Sequence, residues 1–160
     1  MSKTLIVLVG ASGAGKSSWS QGREHSGAAV ICSADDGMIE ADGVYRFAAS
    51  KLASAHGACQ YKAQMAMASG KPLVVIDNTS TTTGEIFPYL SMGQRFGYEV
   101  EILVFRAVQD PEVLAARNRH GVPIEVIRTQ LEKISYMLKT WPDSWPQYRV
   151  ADLASVRRSA

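Results

Sequence analysis

One short segment near the N-terminus constrains the fold of this chain more than any other feature. Residues 10–17 read GASGAGKS and match the pattern GxxxxGK[ST] without a mismatch, directly after the apolar run Leu5–Val9. Glycines in such a loop let backbone N–H groups turn inward around an anion, and the positive end of the following helix adds to the attraction. The segment therefore predicts a phosphate-binding loop between a buried strand and a helix that begins near Lys16.

The chemistry expected of this loop is the binding of ATP and Mg²⁺. Lys16 should reach the β- and γ-phosphates, and the hydroxyl of Ser17 should ligate the metal ion. The N/TKxD motif with which GTPases read the base does not occur in the sequence, so a GTPase is disfavoured. The loop identifies a triphosphate but not the acceptor of a transferred phosphate. The residues predicted to surround the triphosphate are Ser12, Gly13, Ala14, Gly15, Lys16 and Ser17.

Strands and helices alternate along the rest of the chain. Apolar runs predict three further strands, at 28–32, 73–76 and 99–105. Helical patterns are found at 44–69, at 84–96 and from Pro111 onward. Pro88 is expected in the first turn of the second of these helices, where a proline is tolerated. The alternation predicts right-handed βαβ units in an α/β fold with a parallel sheet, whose ligands bind beyond the carboxyl ends of the strands.

Two aspartates, Asp35 and Asp36, follow the second predicted strand directly. An acceptor hydroxyl has a pKa far above neutral, and a carboxylate at hydrogen-bond distance can take its proton as the bond to phosphorus forms. We assign this general-base role to Asp35, while Asp36 either holds the acceptor or caps the turn. The alternative is that both are turn residues, since Asp-Asp-Gly is favourable turn chemistry.

The third predicted strand ends in the polar sequence DNTS. An apolar strand that ends in an acid has the form of a Walker B strand, and we expect Asp77 to bind Mg²⁺ directly or through water. Asn78 and Thr79 can donate and accept hydrogen bonds with a substrate. The alternative is a capped loop start, for which the same residue types are favoured.

A basic segment, RNRHGVP at 117–123, joins two predicted helices. Arginines at this corner, Arg117 and Arg119, could close over the phosphates as a lid and neutralise charge on the transferring group. Gly121 would supply the flexibility that closure needs. The alternative is a solvated helix end, where cations favourably meet the helix dipole.

Length and composition fit one soluble domain over residues 1–160. The chain has 160 residues and a net charge of +2, which does not by itself indicate a nucleic-acid binder. Its two cysteines are not in a CxxC pair, so we expect no zinc site and a reducing, cytoplasmic setting. No apolar run is long enough to span a membrane, and nothing points to an obligate protein partner. The tail at 141–160 begins with turn-like sequence and is otherwise unassigned.

Several pieces of the sequence together resemble the polynucleotide-kinase branch of P-loop kinases, which includes the phage 5′-hydroxyl kinase domain and stand-alone relatives. They occur in the family's order and at similar spacing within residues 4–138, and they read GASGAGKSSW, SADD, YRFAASKLASAHGACQ, VVIDNTS, GYEVEILVF and LAARNRHGVP. The resemblance implies a three-layer P-loop kinase fold. Its parallel sheet would have four or five strands with helices on both faces, and its lid would lie near Arg117.

The resemblance also implies roles for single residues. Asp35 would be the general base, and Asn78 and Thr79 would shape the acceptor site. Arg117 or Arg119 would contact the nucleotide phosphates. The residues that would hold ATP and Mg²⁺ are Lys16, Ser17 and Ser18.

One position departs from the family's pattern. The phage enzyme has an arginine three residues after its base that holds the acceptor phosphate, and this chain has Met38 there. Arg46 or Lys51 could substitute for it, and we assign Arg46 to the binding of the acceptor. The departure puts the acceptor in question.

The expected activity is transfer of the γ-phosphate of ATP to a hydroxyl on a nucleic acid, with the 5′-hydroxyl of a polynucleotide as the default acceptor. One alternative is a DNA base kinase that phosphorylates a 5-hydroxymethylpyrimidine such as 5-hydroxymethyluracil in phage DNA. Another is a small-molecule kinase, which would show no salt-dependent affinity for DNA. A non-catalytic nucleotide-binding switch is a third alternative, and the acid at the end of the second strand argues against it.

Overall fold

The computed structural model describes residues 2–152, which form an α/β fold in three layers. Within these residues one sheet contains the strands β1 (Thr4–Val9), β2 (Val30–Cys32), β3 (Leu73–Ile76), β4 (Glu99–Val104) and β5 (Tyr148–Val150). The helices are α1 (Lys16–His25), α2 (Leu52–Ala68), α3 (Thr83–Phe96), α4 (Pro111–Arg117) and α5 (Ile124–Lys139). The predicted three-layer α/β fold with a parallel sheet is confirmed.

The sheet places β1 at its centre. All neighbouring strands pair in parallel, in the order β2-β3-β1-β4-β5. Val7 of β1 is in register with Ile76 of β3, which is in turn in register with Cys32 of β2. The carboxyl ends of these three strands therefore lie side by side, and the segments that follow them meet at one edge of the sheet.

Both faces of the sheet are covered by helices, because β1 and its neighbours carry apolar side chains on both sides. On one face, Met67 of α2 and Tyr89 of α3 pack with Val7 of β1 in one buried cluster. On the other face, Trp19 of α1 and Leu114 of α4 pack with residues of the sheet in a second cluster. Helix α5 contributes to both clusters and so spans the junction between the two layers.

The helix predicted at 44–69 begins later than expected, at Leu52. The residues before it form a short hairpin, in which the backbone N–H of Arg46 donates to the carbonyl of Met38 at 2.8 Å and Ile39 bridges to Tyr45. Gly43 turns this hairpin with φ of 79°, a left-handed conformation that favours glycine. Residues 44–46, which the prediction included in the helix, form the second arm of this hairpin instead.

Two other details of the prediction are corrected. Helix α3 begins at Thr83, so Pro88 lies inside it and not in its first turn. Residues 148–150 form an edge strand, β5, although the tail gave no strand signal. No helix among residues 2–152 is long and apolar enough to cross a membrane.

Candidate active site

A cavity of about 500 Å³ opens at the carboxyl ends of β1, β2 and β3. It is lined by the phosphate loop and the start of α1, by the segments after β2 and β3, and by the segment between α4 and α5. Most of the residues predicted for the site meet here: Ser12, Gly13, Gly15, Lys16, Ser17, Ser18, Asp35, Asp77, Asn78, Thr79, Arg117 and Arg119.

The phosphate loop has the backbone that its glycines predict. Gly13 and Gly15 have φ of 83° and 103°, which L-residues with a side chain rarely adopt. A Cβ atom at Gly13 would also overlap the carbonyl oxygen of Leu114 in α4, so the loop packs directly against that helix. Ala14 has its side chain in the apolar core, which leaves only its backbone available to a phosphate.

Lys16 is buried beneath the loop. Its Nζ donates hydrogen bonds to the carbonyls of Gly10 at 2.7 Å and Ala11 at 3.0 Å. Burial lowers the pKa of Lys16, while the nearby carboxylates of Asp77 and Asp35 act in the opposite direction. A triphosphate in the cavity would offer this ammonium group charged oxygens in exchange for the two carbonyls, which are weaker partners.

Asp77 is buried at the end of β3. Its Oδ2 accepts a hydrogen bond of 2.6 Å from the hydroxyl of Ser20, and its backbone N–H donates to the carbonyl of Cys32 at 2.8 Å. Ser17 lines the same cavity. A carboxylate and a hydroxyl would be enough protein ligands for Mg²⁺, because phosphates and waters complete its coordination. The sequence did not indicate a role for Ser20, although it lies one helical turn beyond Ser17 in α1.

Asp35 lines the cavity with about half of its side chain exposed, at 48%. Burial raises the pKa of this carboxyl, and the negative charge of Asp77 adds to the effect, while His120 and Lys16 oppose it. Asp36 does not line the cavity and instead lies 3.8 Å from the ammonium group of Lys62. The geometry therefore favours Asp35 over Asp36 as the acid that can meet an acceptor.

Asn78 and Thr79 line the cavity but are also used to build it. The side-chain oxygen of Asn78 accepts a hydrogen bond of 2.8 Å from the backbone N–H of Ala34, which fixes the turn that carries Asp35. The carbonyl of Thr79 accepts one of 3.0 Å from the N–H of Gly10, which fixes the start of the phosphate loop.

Arg46 lies apart from these residues. Its guanidinium pairs with Asp42 at 2.8 Å and with Glu40 at 2.9 Å, within the exposed hairpin, and it does not line the cavity. Met38, at the position where the phage enzyme has arginine, is buried at 2% exposure. Contact between Arg46 and an acceptor stays a prediction, and it would require these ion pairs to open.

The segment between α4 and α5 contributes several residues to the lining of the cavity. Asn118 fixes its turn by accepting a hydrogen bond of 2.8 Å from the N–H of Val122. Arg119 reaches the hydroxyl of Ser18 at 3.4 Å, and Arg117 lines the cavity. The segment 117–123 therefore borders the cavity, and its action as a lid stays a prediction.

Three residues that the sequence did not single out for the site also take part. His120 lies 3.6 Å from Asp35, between Nε2 and Oδ2, and stacks on Tyr45. The side-chain oxygen of Gln130 in α5 accepts a hydrogen bond of 2.9 Å from the backbone N–H of Ser12 in the phosphate loop. None of these contacts follows from sequence spacing, although His120 belongs to the basic segment already identified.

The fold and this site together define a P-loop nucleotide-binding domain with the kinase fold. The chain belongs to the AAA domain family, whose model matches residues 5–139. The chain is also similar to NEDD4-binding protein 2 of Homo sapiens, with 34% identity over 134 residues. That match covers 80% of this chain but 7% of the human protein, so the chain spans only a small part of this relative.

Solved structures share the fold at low sequence identity. A chain of the Pnkp1/Rnl/Hen1 RNA repair complex superposes with a TM-score of 0.70 at 16% identity, over 95% of this chain and 53% of that one. A gluconokinase from Sinorhizobium meliloti 1021 superposes with a TM-score of 0.58 at 16% identity, over 98% and 88%. These likenesses establish the fold, and a fold by itself does not identify a substrate.

Proposed function

We propose that this protein transfers the γ-phosphate of ATP to a hydroxyl group on a nucleic acid, with a polynucleotide 5′-hydroxyl as the default acceptor. The observation that carries the proposal is that Asp35 lines the same cavity as the phosphate loop and Lys16. An acid at that place can meet a hydroxyl in line with a bound γ-phosphate, which a pure nucleotide switch does not need.

In the proposed reaction the backbone of the phosphate loop and Lys16 hold the β- and γ-phosphates, and Arg117 and Arg119 neutralise them from the lid. Asp35 takes the proton of the acceptor hydroxyl as its oxygen bonds to the γ-phosphorus. The bond between the γ-phosphorus and the β,γ-bridging oxygen breaks, and ADP leaves with that oxygen. Burial raises the pKa of Asp35, which makes it a stronger base than an exposed aspartate.

Ser17 and Asp77 are the residues that would hold Mg²⁺, with Ser20 orienting the carboxylate of Asp77. The ion would supply positive charge that screens the phosphate oxygens from the entering hydroxyl. The protein's own part is to fix the direction of the Asp77 carboxylate, since a freely rotating carboxylate would lose affinity for the metal.

The choice of a nucleic acid rests on the resemblance of the ordered motifs to polynucleotide kinases, and the fold likeness to a chain of an RNA repair complex is in keeping with it. A second candidate, a kinase of 5-hydroxymethyluracil in DNA, is favoured by the buried Met38, which cannot hold an acceptor phosphate as arginine does. Such an enzyme would use the same base and the same donor site.

Transfer of labelled γ-phosphate separates these candidates. The acceptors are a 5′-hydroxyl oligonucleotide, a 5′-blocked oligonucleotide that contains internal 5-hydroxymethyluracil, and gluconate as a small polyol. Label on the first alone supports the default, and label on the second alone moves the function to base modification. Label on gluconate alone, or on none of them while ATP still binds, would contradict a nucleic-acid acceptor.

A further inference from the structure

The described contacts of the lid reach both sides of the cavity. On the side of the phosphate loop, the guanidinium of Arg119 reaches Ser18 at 3.4 Å and Gln21 at 3.5 Å, both on α1. On the opposite side, the next residue, His120, reaches Asp35. Neighbouring side chains of the lid therefore contact the nucleotide side and the acceptor side separately.

The contact between His120 and Asp35 is close but not yet a hydrogen bond. Nε2 of His120 lies 3.6 Å from Oδ2 of Asp35, within ion-pair range and beyond hydrogen-bond length. A small inward movement of the lid would bring Nε2 of the imidazole within hydrogen-bond distance of the carboxylate of Asp35.

The imidazole is held from its other side by an aromatic ring. Tyr45 stacks on His120 with the ring centroids 3.8 Å apart and the planes 24° from parallel. Tyr45 belongs to the hairpin after the Asp35 turn, where the backbone N–H of Glu40 donates to the carbonyl of Val44 at 3.1 Å. The hairpin thus carries a platform on which the lid histidine rests, and stacked aromatic pairs of this kind favour one relative orientation.

Three residues from separate parts of the chain therefore form a unit, Asp35, Tyr45 and His120, which we call the acceptor latch. We propose that His120 is a positioning residue: it directs the carboxylate of Asp35 toward the acceptor, and the ring of Tyr45 holds His120 in place when the lid closes. The inference rests on the proposed function, since it concerns the base of that reaction. It adds that closure of the lid places His120 against Asp35 in the same movement that brings Arg117 and Arg119 onto the phosphates.

Steady-state kinetics with the accepted substrate test the role toward the base. The variant His120→Phe keeps a ring to stack on Tyr45 but removes the N–H, and Tyr45→Leu removes the stacking platform. Both should lower kcat about tenfold with the KM for ATP changed less than twofold, because the donor site is intact. The variant His120→Gln retains a side-chain N–H and should recover most of the activity. Tyr61→Leu, which alters a tyrosine that is 66% exposed, is the matched control and should be neutral.

A double-mutant cycle separates positioning of the base from general loosening of the lid. Adding His120→Phe to Asp35→Asn should reduce the residual kcat less than twofold, since the carboxylate it directs is gone. The same substitution in an Arg119→Ala background should still cost about tenfold. The latch would be overturned if His120→Phe lowered kcat by the same factor in the Asp35→Asn background as in the unmodified protein. It would also be overturned if His120→Phe alone left kcat unchanged.

An acceptor-independent measurement keeps this test apart from the proposed function. The chain has three histidines, so the imidazole signals of His25, His56 and His120 can be assigned by substitution in NMR spectra of the ATP-free protein. The His120 signal should shift in both Asp35→Asn and Tyr45→Leu, while the signals of His25 and His56 stay in place. A His120 signal that fails to shift in either variant would overturn the latch even if transfer to nucleic acid is found, and the shifts would support it even if no transfer is found.

Discussion

The hydroxyl of Ser20 donates a hydrogen bond of 2.6 Å to Oδ2 of Asp77, across 57 positions of the chain. Both residues are buried, which shields this hydrogen bond from solvent. The bond joins the second turn of α1 to the end of β3 and fixes the direction in which Asp77 presents its other oxygen to the cavity. A side chain outside the cavity lining thus controls the acid that we expect to bind Mg²⁺.

We expect Ser20→Ala to raise the Mg²⁺ concentration that phosphate transfer requires, while the protein still folds. Removal of a group that orients a metal ligand typically costs ten- to a hundredfold in metal affinity or activity, and we expect about tenfold here. The measurement is the rate of phosphate transfer as a function of Mg²⁺ concentration. Ser26→Ala removes an exposed hydroxyl at the end of the same helix and should leave the curve unchanged. An unchanged curve for Ser20→Ala would show that Asp77 needs no such support.

Replacement of Lys16 by methionine should abolish transfer without unfolding the protein. The ammonium group is buried, and burial of a charge is costly, so an apolar chain of similar length should keep Tm within about 3 °C. Loss of the charge that meets the phosphates should lower kcat by at least about a hundredfold. Lys139→Met, at the exposed end of α5, is the control. A Lys16→Met protein that retains a tenth of the activity would argue against the assigned role.

Gln130 should affect the use of ATP although it lies on the helix after the lid. Its side-chain oxygen accepts the N–H of Ser12, and a single hydrogen bond of this kind contributes about 0.5 to 1.5 kcal/mol. We therefore expect Gln130→Ala to raise the KM for ATP about two- to tenfold. The exposed neighbour Glu132→Ala should leave it unchanged. Equal KM values for ATP in Gln130→Ala and Glu132→Ala would mean that the phosphate loop holds its shape without the hydrogen bond to α5.

Asp35→Asn should stabilise the protein in a pH-dependent way. Because the pKa of Asp35 is raised on folding, mainly by burial, its ionised form costs stability, and this cost develops as the pH rises through the folded-state pKa. Well below the ordinary aspartate pKa of about 3.9 the carboxyl is protonated in both states, and the cost vanishes. The side chain is about half exposed, so we expect a small gain in Tm, about 2 °C at pH 7.5 and almost none at about pH 3. A gain that grows toward acid pH would contradict the assigned direction.

The central part of the fold could be predicted because its sequence carries local signals. Leu5–Val9 and Leu73–Ile76 are continuous apolar runs of parallel strands, and residues 10–17 match a complete motif. The start of α2 could not be predicted, because the hairpin at 38–46 is held by cross-strand hydrogen bonds and not by helix-breaking residues alone. Strand β5 gave no signal because it has only three residues at an edge, two of them exposed.

Some features of the candidate site could likewise be predicted from the sequence, and others could not. Lys16, Asp35 and Asp77 follow strands, so topology alone brings them to one edge. The contacts of Gln130 with Ser12 and of His120 with Tyr45 join residues that are distant in the chain and carry no shared motif. Such contacts depend on the packing of α4 and α5 against the phosphate loop, and spacing in the sequence carries no information on it.

The most direct test of the account compares the two neighbouring acids after β2. Labelled γ-phosphate is transferred from ATP with Mg²⁺ to a 5′-hydroxyl oligonucleotide by the unmodified protein, by Asp35→Asn and by Asp36→Asn. We expect transfer by the unmodified protein, a loss of at least about a hundredfold in Asp35→Asn, and activity within about threefold in Asp36→Asn. Transfer that survives in Asp35→Asn, or that is lost in Asp36→Asn instead, would contradict it.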